Sequence, residues 1–229
     1  MTDHSTFVPT LFGVHPFIIF AALVIPIVGI AYYLTYRRRK ALSELAASMG
    51  LLFTEKGPEP DYLERTGLGI FSLGHNRAAS NLMEIRGSGS SPDISFFDYR
   101  YTTGGGRSNH THAFTVALFD LKTSKAPSFE LKPETFIYKI GELVGFKDID
   151  IPTSPLFSDK YRLTGPNEME ILSFFHPGVV AYFEQHLGWK LQGAGRYLLV
   201  FKGEKPVAPS DYQAFMEETK NMVSSIVKL

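Results

Sequence analysis

The stretch TTGGGRSNHTH, residues 102–112, gathers the residue types best suited to chemistry. Gly104, Gly105 and Gly106, followed by Arg107, supply the backbone freedom and positive charge from which an amide nest for a phosphate is built. The spacing is neither that of a P-loop, with its Gly-Lys-Ser/Thr, nor Gly-x-Gly-x-x-Gly. A flexible hairpin tip uses the same glycines. His110 and His112 stand two apart and so share one face of a strand, close enough for a common metal. Zinc or iron would need a third ligand, usually a carboxylate or cysteine, with His75, His176 and His186 as further donors. Gly104, Gly105, Gly106, Arg107, His110 and His112 are therefore the candidate ligand-site residues. Asp148 and Asp150 fall on one side of an extended segment, without the Asp-rich loop that calcium requires.

No catalytic set accompanies them. Gly-x-Ser-x-Gly, a Ser-x-x-Lys with its companions and His-Glu-x-x-His are all missing. The chain has no cysteine, which removes disulfides, thiolate zinc sites, iron–sulfur clusters and a cysteine nucleophile. The pairs Glu168/Glu170 and Glu217/Glu218 sit on expected helices as solvated faces. The reading leans away from an enzyme and assigns no catalytic residue, cofactor or metal.

The elements that must position these residues follow from composition and period. Hydrophobic content of 44% and charge of 20% over 229 residues describe a globular chain with a full core. Asn81–Gly87, Asp93–Thr103 and His110–Leu121 are rich in aromatic and β-branched residues and are separated by SGSSP and GGGRSN, which predicts an antiparallel meander. Both faces of the middle strand carry aromatics, so both are expected to be covered. Further strands are expected at Phe129–Leu131 and Asp159–Gly165, with a hairpin over 189–203 turned at Gly193–Gly195. Helices are expected over 132–145, opening at Pro133 and ending at Gly145, after the Asn167 cap, over 176–188, and from Ser210 on. In the last, Tyr212, Phe215, Met216, Thr219, Met222, Val223 and Ile226 form one apolar stripe. The fold class is α+β, a mainly antiparallel sheet with packed helices behind one N-terminal helix.

That first helix is the clearest element. From Phe17 to Tyr36 twenty residues carry no charge, about 30 Å as a helix, which matches the hydrocarbon core of a bilayer. Pro26 and Gly29 are tolerated there because lipid offers the backbone no other partner. Tyr32, Tyr33 and Tyr36 gather at one end, suited to the headgroup layer, and Arg37, Arg38, Arg39 and Lys40 follow. A cleaved signal has its basic residues first; residues 1–16 hold no Lys or Arg, so a permanent anchor is expected. No Asp, Glu, Lys, Arg or His lies within the span, which argues against an ion or proton path through it, and His15 lies just outside. Basic residues near a span stay inside, so the N-terminus faces outward and residues 37–229 face the cytoplasm. Beyond Lys40 the chain holds 19 basic and 22 acidic residues and no basic stripe, which excludes nucleic acid as the expected partner.

The expected layout is an outer segment 1–16, a transmembrane helix 17–36, a basic cluster and juxtamembrane helix 37–50 with Leu42, Leu45, Ala46 and Met49 on one stripe, a linker 51–66, and an α+β cytoplasmic domain 67–229. Several motifs, NLMEIRG, FFDYRYTTGGGR, FELKPE and DIDI with PLFSDKYRLTG, together with the leading span and basic cluster, resemble a group of bacterial single-pass membrane proteins. The resemblance covers most of the chain and implies a bacterial inner membrane; no activity travels with it. The expected function is an accessory or scaffold subunit of a larger membrane complex, photosynthetic or respiratory for example, with the bilayer and integral-membrane proteins as partners. Ala21, Ala22, Gly29 and Ala31 would admit a neighbouring helix. The alternative is a tethered ligand- or metal-binding regulatory module, and after it a membrane-proximal enzyme.

Overall fold

A computed structural model describes residues 16–106, 108–136 and 146–227, with backbone alone at 16–19 and 136. Two compact units meet between Ala41 and Leu42. The first holds most of helix α1, Pro16–Ser48, which contains Pro26 and the whole apolar run. Phe20–Ser48 is long and apolar enough to cross a membrane, the one such helix among the described residues, and none of its most apolar window is buried. Leu23 and Ile25 are 64% and 69% exposed, an apolar surface of the kind that marks a membrane or protein interaction site. Near the end of the apolar run the guanidinium of Arg37 sits 5.8 Å from the Tyr33 ring, one helical turn away.

The second unit, Leu42–Leu229, is one α+β domain around an eight-stranded antiparallel sheet. Its strands are β1 Leu52–Lys56, β2 His75–Ile85, β3 Asp93–Thr103, β4 His110–Asp120, β5 Ala126–Pro133, β6 Tyr161–Thr164, β7 Trp189–Gly195 and β8 Tyr197–Lys202. They pair in the order β1-β2-β3-β4-β8-β7-β5-β6, so β5 and β6 cross to the far side of the closing hairpin. The helices are α2 Pro60–Arg65, α3 Pro155–Ser158, α4 Glu168–Phe174, α5 Pro177–Gln185 and α6 Tyr212–Ile226.

Both sheet faces are buried. One carries Phe96, Phe119, Leu131, Leu163, Trp189 and Val200 and receives α4, α5 and the whole predicted stripe of α6. The other carries Phe97, Tyr99, Phe114, Val116 and Phe201 and receives Leu63 of α2 with Leu68, Ile70 and Phe71 of the next turn. The β3–β4 ladder runs unbroken from Asp93↔Asp120 to Thr103↔His110, as the alternation predicts.

Several boundaries differ from the sequence expectation. Residues 51–66, expected as a linker, form β1 and α2. Leu42 and Ala46, expected on a juxtamembrane stalk, are fully buried in the larger core. Pro133 ends β5 on an edge pairing with Tyr161, and a single 3-10 turn, Glu134–Phe136, follows where a helix was expected to open. The remainder of that helix, 137–145, lies outside the described residues, as do residues 1–15 with His15. The β7–β8 turn is the pair Gly195–Arg196, since Ala194 already faces Tyr197. Asp211, not Ser210, holds the N-cap position of α6, with no side-chain capping bond among the described residues.

Candidate functional site

The glycine run does what a tight hairpin tip demands. Gly104 and Gly106 adopt φ of +87° and +61°, and a Cβ at Gly104 would collide with the Ser108 carbonyl oxygen. Arg107 lies outside the described residues. Just below the tip, β4 brings His110 and His112 together with ring centroids 4.6 Å apart, edge to face. His112 also stacks on Tyr101 at 4.8 Å, and its Nε2 shares a 2.9 Å hydrogen bond with Thr103 Oγ1. Burial first, and then the neighbouring His110, lower the His112 pKa, which favours a neutral ring. No group of three or more metal-ligating side chains forms among the described residues. Asp148 is a structural residue: Oδ1 accepts from the Leu163 backbone N–H at 3.2 Å, beside the bridge to Thr164.

Sequence reasoning missed a second cluster, created by strands distant in the chain. On the sheet face lined by Val116 and Phe201, the surface changes from aromatic to charged on crossing from β8 to β7. One register row runs Leu199, Gln192, Glu130 and Thr164, and Lys190 faces Phe201 in the next row. Lys132 faces Arg162 on the same side. Lys190 and Lys132 are only 3% and 7% exposed, an uncommon position for lysine.

These groups satisfy one another. Lys190 donates to the Gly203 carbonyl at 2.8 Å and lies 5.2 Å from the Phe201 ring centroid. Lys132 pairs with Glu130 at 3.4 Å, and Gln192 Nε2 donates to the other Glu130 oxygen at 2.9 Å. Gln192 Oε1 in turn accepts from the Ile70 backbone N–H at 3.2 Å, which ties the second layer to the sheet. Burial pushes the Lys190 ammonium down to about 7, against the opposing pull of Glu204 and Glu130. Tyr101 is fully buried, its hydroxyl has no hydrogen-bond partner among the described residues, and burial together with Glu130 raises its pKa to about 12. A cleft of about 170 Å³ opens beside the cluster, walled by Phe129, Glu130, Thr164 and Gln192. Its floor includes Gly193, where a Cβ would strike the Phe129 ring. Because Glu130 and Gln192 are already engaged, the chemistry here is the setting of charge and position.

No protein-family model and no curated protein matches the chain. Among solved structures, the chain is similar to the mycobacterial trehalose monomycolate transport factor A, TtfA, at a TM-score of 0.55 and 15% identity. The likeness covers 83% of this chain and 91% of that one, and it is a likeness of fold.

Proposed function

We propose that the chain is a single-pass accessory or scaffold subunit of a membrane transport assembly, without catalysis of its own. One observation carries this reading: a helix apolar on every described side, with none of its most apolar window buried, followed directly by Arg37, Arg38, Arg39 and Lys40. In this reading residues 17–36 span a bacterial inner membrane, residues 1–16 face outward and the α+β domain is cytoplasmic. Ala21, Ala22, Gly29 and Ala31 admit a partner helix, and the bilayer and that integral-membrane protein are the two partners. The likeness of the domain to a transport factor is the support for placing the assembly in transport. The test is native purification in a mild detergent after cross-linking in the membrane. A stoichiometric integral-membrane partner, weakened by Gly29→Leu, is the expected result; a lone monomer overturns the reading.

A further inference from the structure

Helix α1 carries a groove of its own, where the apolar run meets the basic cluster. Val28, Ala31, Tyr32, Thr35, Tyr36 and Arg39 recur at the helical period, share one face and enclose about 370 Å³. Ala31 and Thr35 are the small residues of that face and form its floor, with the larger Tyr32 and Tyr36 standing one turn apart beside them. The Thr35 hydroxyl donates to the Ala31 carbonyl at 2.9 Å, so it is used within the helix and the floor is left apolar. Both tyrosine rings are exposed. From Val28 to Arg39 the groove runs about 16 Å along the axis, close to one leaflet of a bilayer's hydrocarbon core.

The polar end of this groove is positive. Arg37, Arg38, Arg39 and Lys40 follow one another at steps of about 100°, so together they face every side of the helix. Arg39 closes the groove, and Arg37 lies on another side over the Tyr33 ring. No Asp or Glu occurs in the sequence between Asp3 and Glu44. Over about three turns the face therefore passes from aliphatic side chains, through two phenol rings, to a guanidinium. A phospholipid presents the matching order of acyl chain, ester oxygens and phosphate.

The charge also selects among phospholipids. A zwitterionic head brings an ammonium with its phosphate, and that ammonium would meet four cations in a stretch of helix without a carboxylate. A head whose only charge is its phosphodiester meets no such repulsion, and the Arg39 guanidinium and the Tyr32 and Tyr36 hydroxyls are donors suited to its oxygens. We propose that this groove binds an anionic phospholipid, one acyl chain along Val28, Ala31 and Thr35 and its phosphate at Arg39. The proposal rests on the reading of residues 17–36 as a membrane span. Gly29, where a partner helix would approach, does not line the groove.

The test is photo-cross-linking of the full chain reconstituted in phosphatidylcholine vesicles that hold a trace of phosphatidylglycerol or of phosphatidylcholine, each with the same diazirine in one acyl chain. Flotation with the vesicles after an alkaline wash reads the span, and the cross-links read the groove. The chain should float, and phosphatidylglycerol should label residues 28–36 about tenfold more than phosphatidylcholine does. Arg39→Gln should lower that ratio about fivefold, whereas Arg39→Lys, which keeps the charge, should retain most of it. Thr35→Trp, which fills the floor, should lower labelling by phosphatidylglycerol, and Leu34→Trp, off the groove, should leave it unchanged. A chain that washes off the vesicles removes the span and the proposal together. A chain that floats but is labelled equally by both lipids, a ratio indifferent to Arg39→Gln, or labelling indifferent to Thr35→Trp overturns the proposal and leaves the span standing.

Discussion

Lys190 shows how a single residue couples packing to pH. Its ammonium titrates near 10.5 in the unfolded chain but near 7 in the fold, because burial penalises the charge. Between those values the folded state holds fewer protons than the unfolded state, so stability should climb from about pH 7 to about pH 10 and be lowest at and below 7. Urea midpoints measured at pH 7 and pH 9 should show the rise in the wild type and lose it in Lys190→Met, which should be at least as stable as wild type at pH 7. Thr115 represents the opposite case, a buried hydroxyl that is fully used. It donates to Asp98 at 2.7 Å and accepts from the Val207 N–H at 2.9 Å, while Asn81 donates to the other Asp98 oxygen at 2.8 Å. Thr115→Val keeps the shape but removes the hydroxyl that both partners use, at an expected cost of about 2–3 kcal/mol by equilibrium unfolding.

At the scale of elements, the β3–β4 hairpin separates a structural glycine from a free one. Gly104 has a left-handed φ and a carbonyl where its Cβ would go, whereas nothing lies within 4 Å of a Cβ at Gly105. Gly104→Ala should therefore cost about 1–2 kcal/mol and Gly105→Ala almost nothing, measured as shifts of the thermal midpoint. A large loss of stability in Gly105→Ala would point to a role for the tip beyond turning the chain. Helix α1 is harder to classify from its pattern, because one continuous run of helical residues serves two environments. Its apolar part repeats hydrophobicity on all sides, while Leu42 and Ala46 narrow to a stripe that enters the domain core. Leu42→Ala should destabilise the domain by about 2–5 kcal/mol, as buried leucines do, although Leu42 stands only two positions after Lys40 of the basic cluster.

For the whole molecule, the boundary between Ala41 and Leu42 makes a direct prediction. A fragment 42–229 should be monomeric, folded and soluble without detergent, whereas 67–229, which loses β1, α2, Leu42 and Ala46, should aggregate or fail to melt cooperatively in calorimetry. Much of this architecture was legible from local patterns. The twenty uncharged residues, the period-two runs of β3 and β4, the Asn167 cap and the stripe of α6 each depend on neighbours a few positions apart, and such signals survive in one dimension. The start of the domain was not legible, since Leu42 and Ala46 read equally well as a stalk until a sheet is present to receive them. Neither were the two places where polar groups converge. Lys190 and Glu130 are sixty residues apart and become neighbours only because β5 crosses over to pair with β7. Glu184 sits on α5, whereas Ser154, whose hydroxyl it accepts from, arrives from the loop before α3. Spacing along the chain determined which segments are helices and strands and which helix is apolar on all sides, because those choices are made by short-range sterics and solvent preference. Only the tertiary structure decided which polar side chains lose water together, because desolvation depends on every element packed around them.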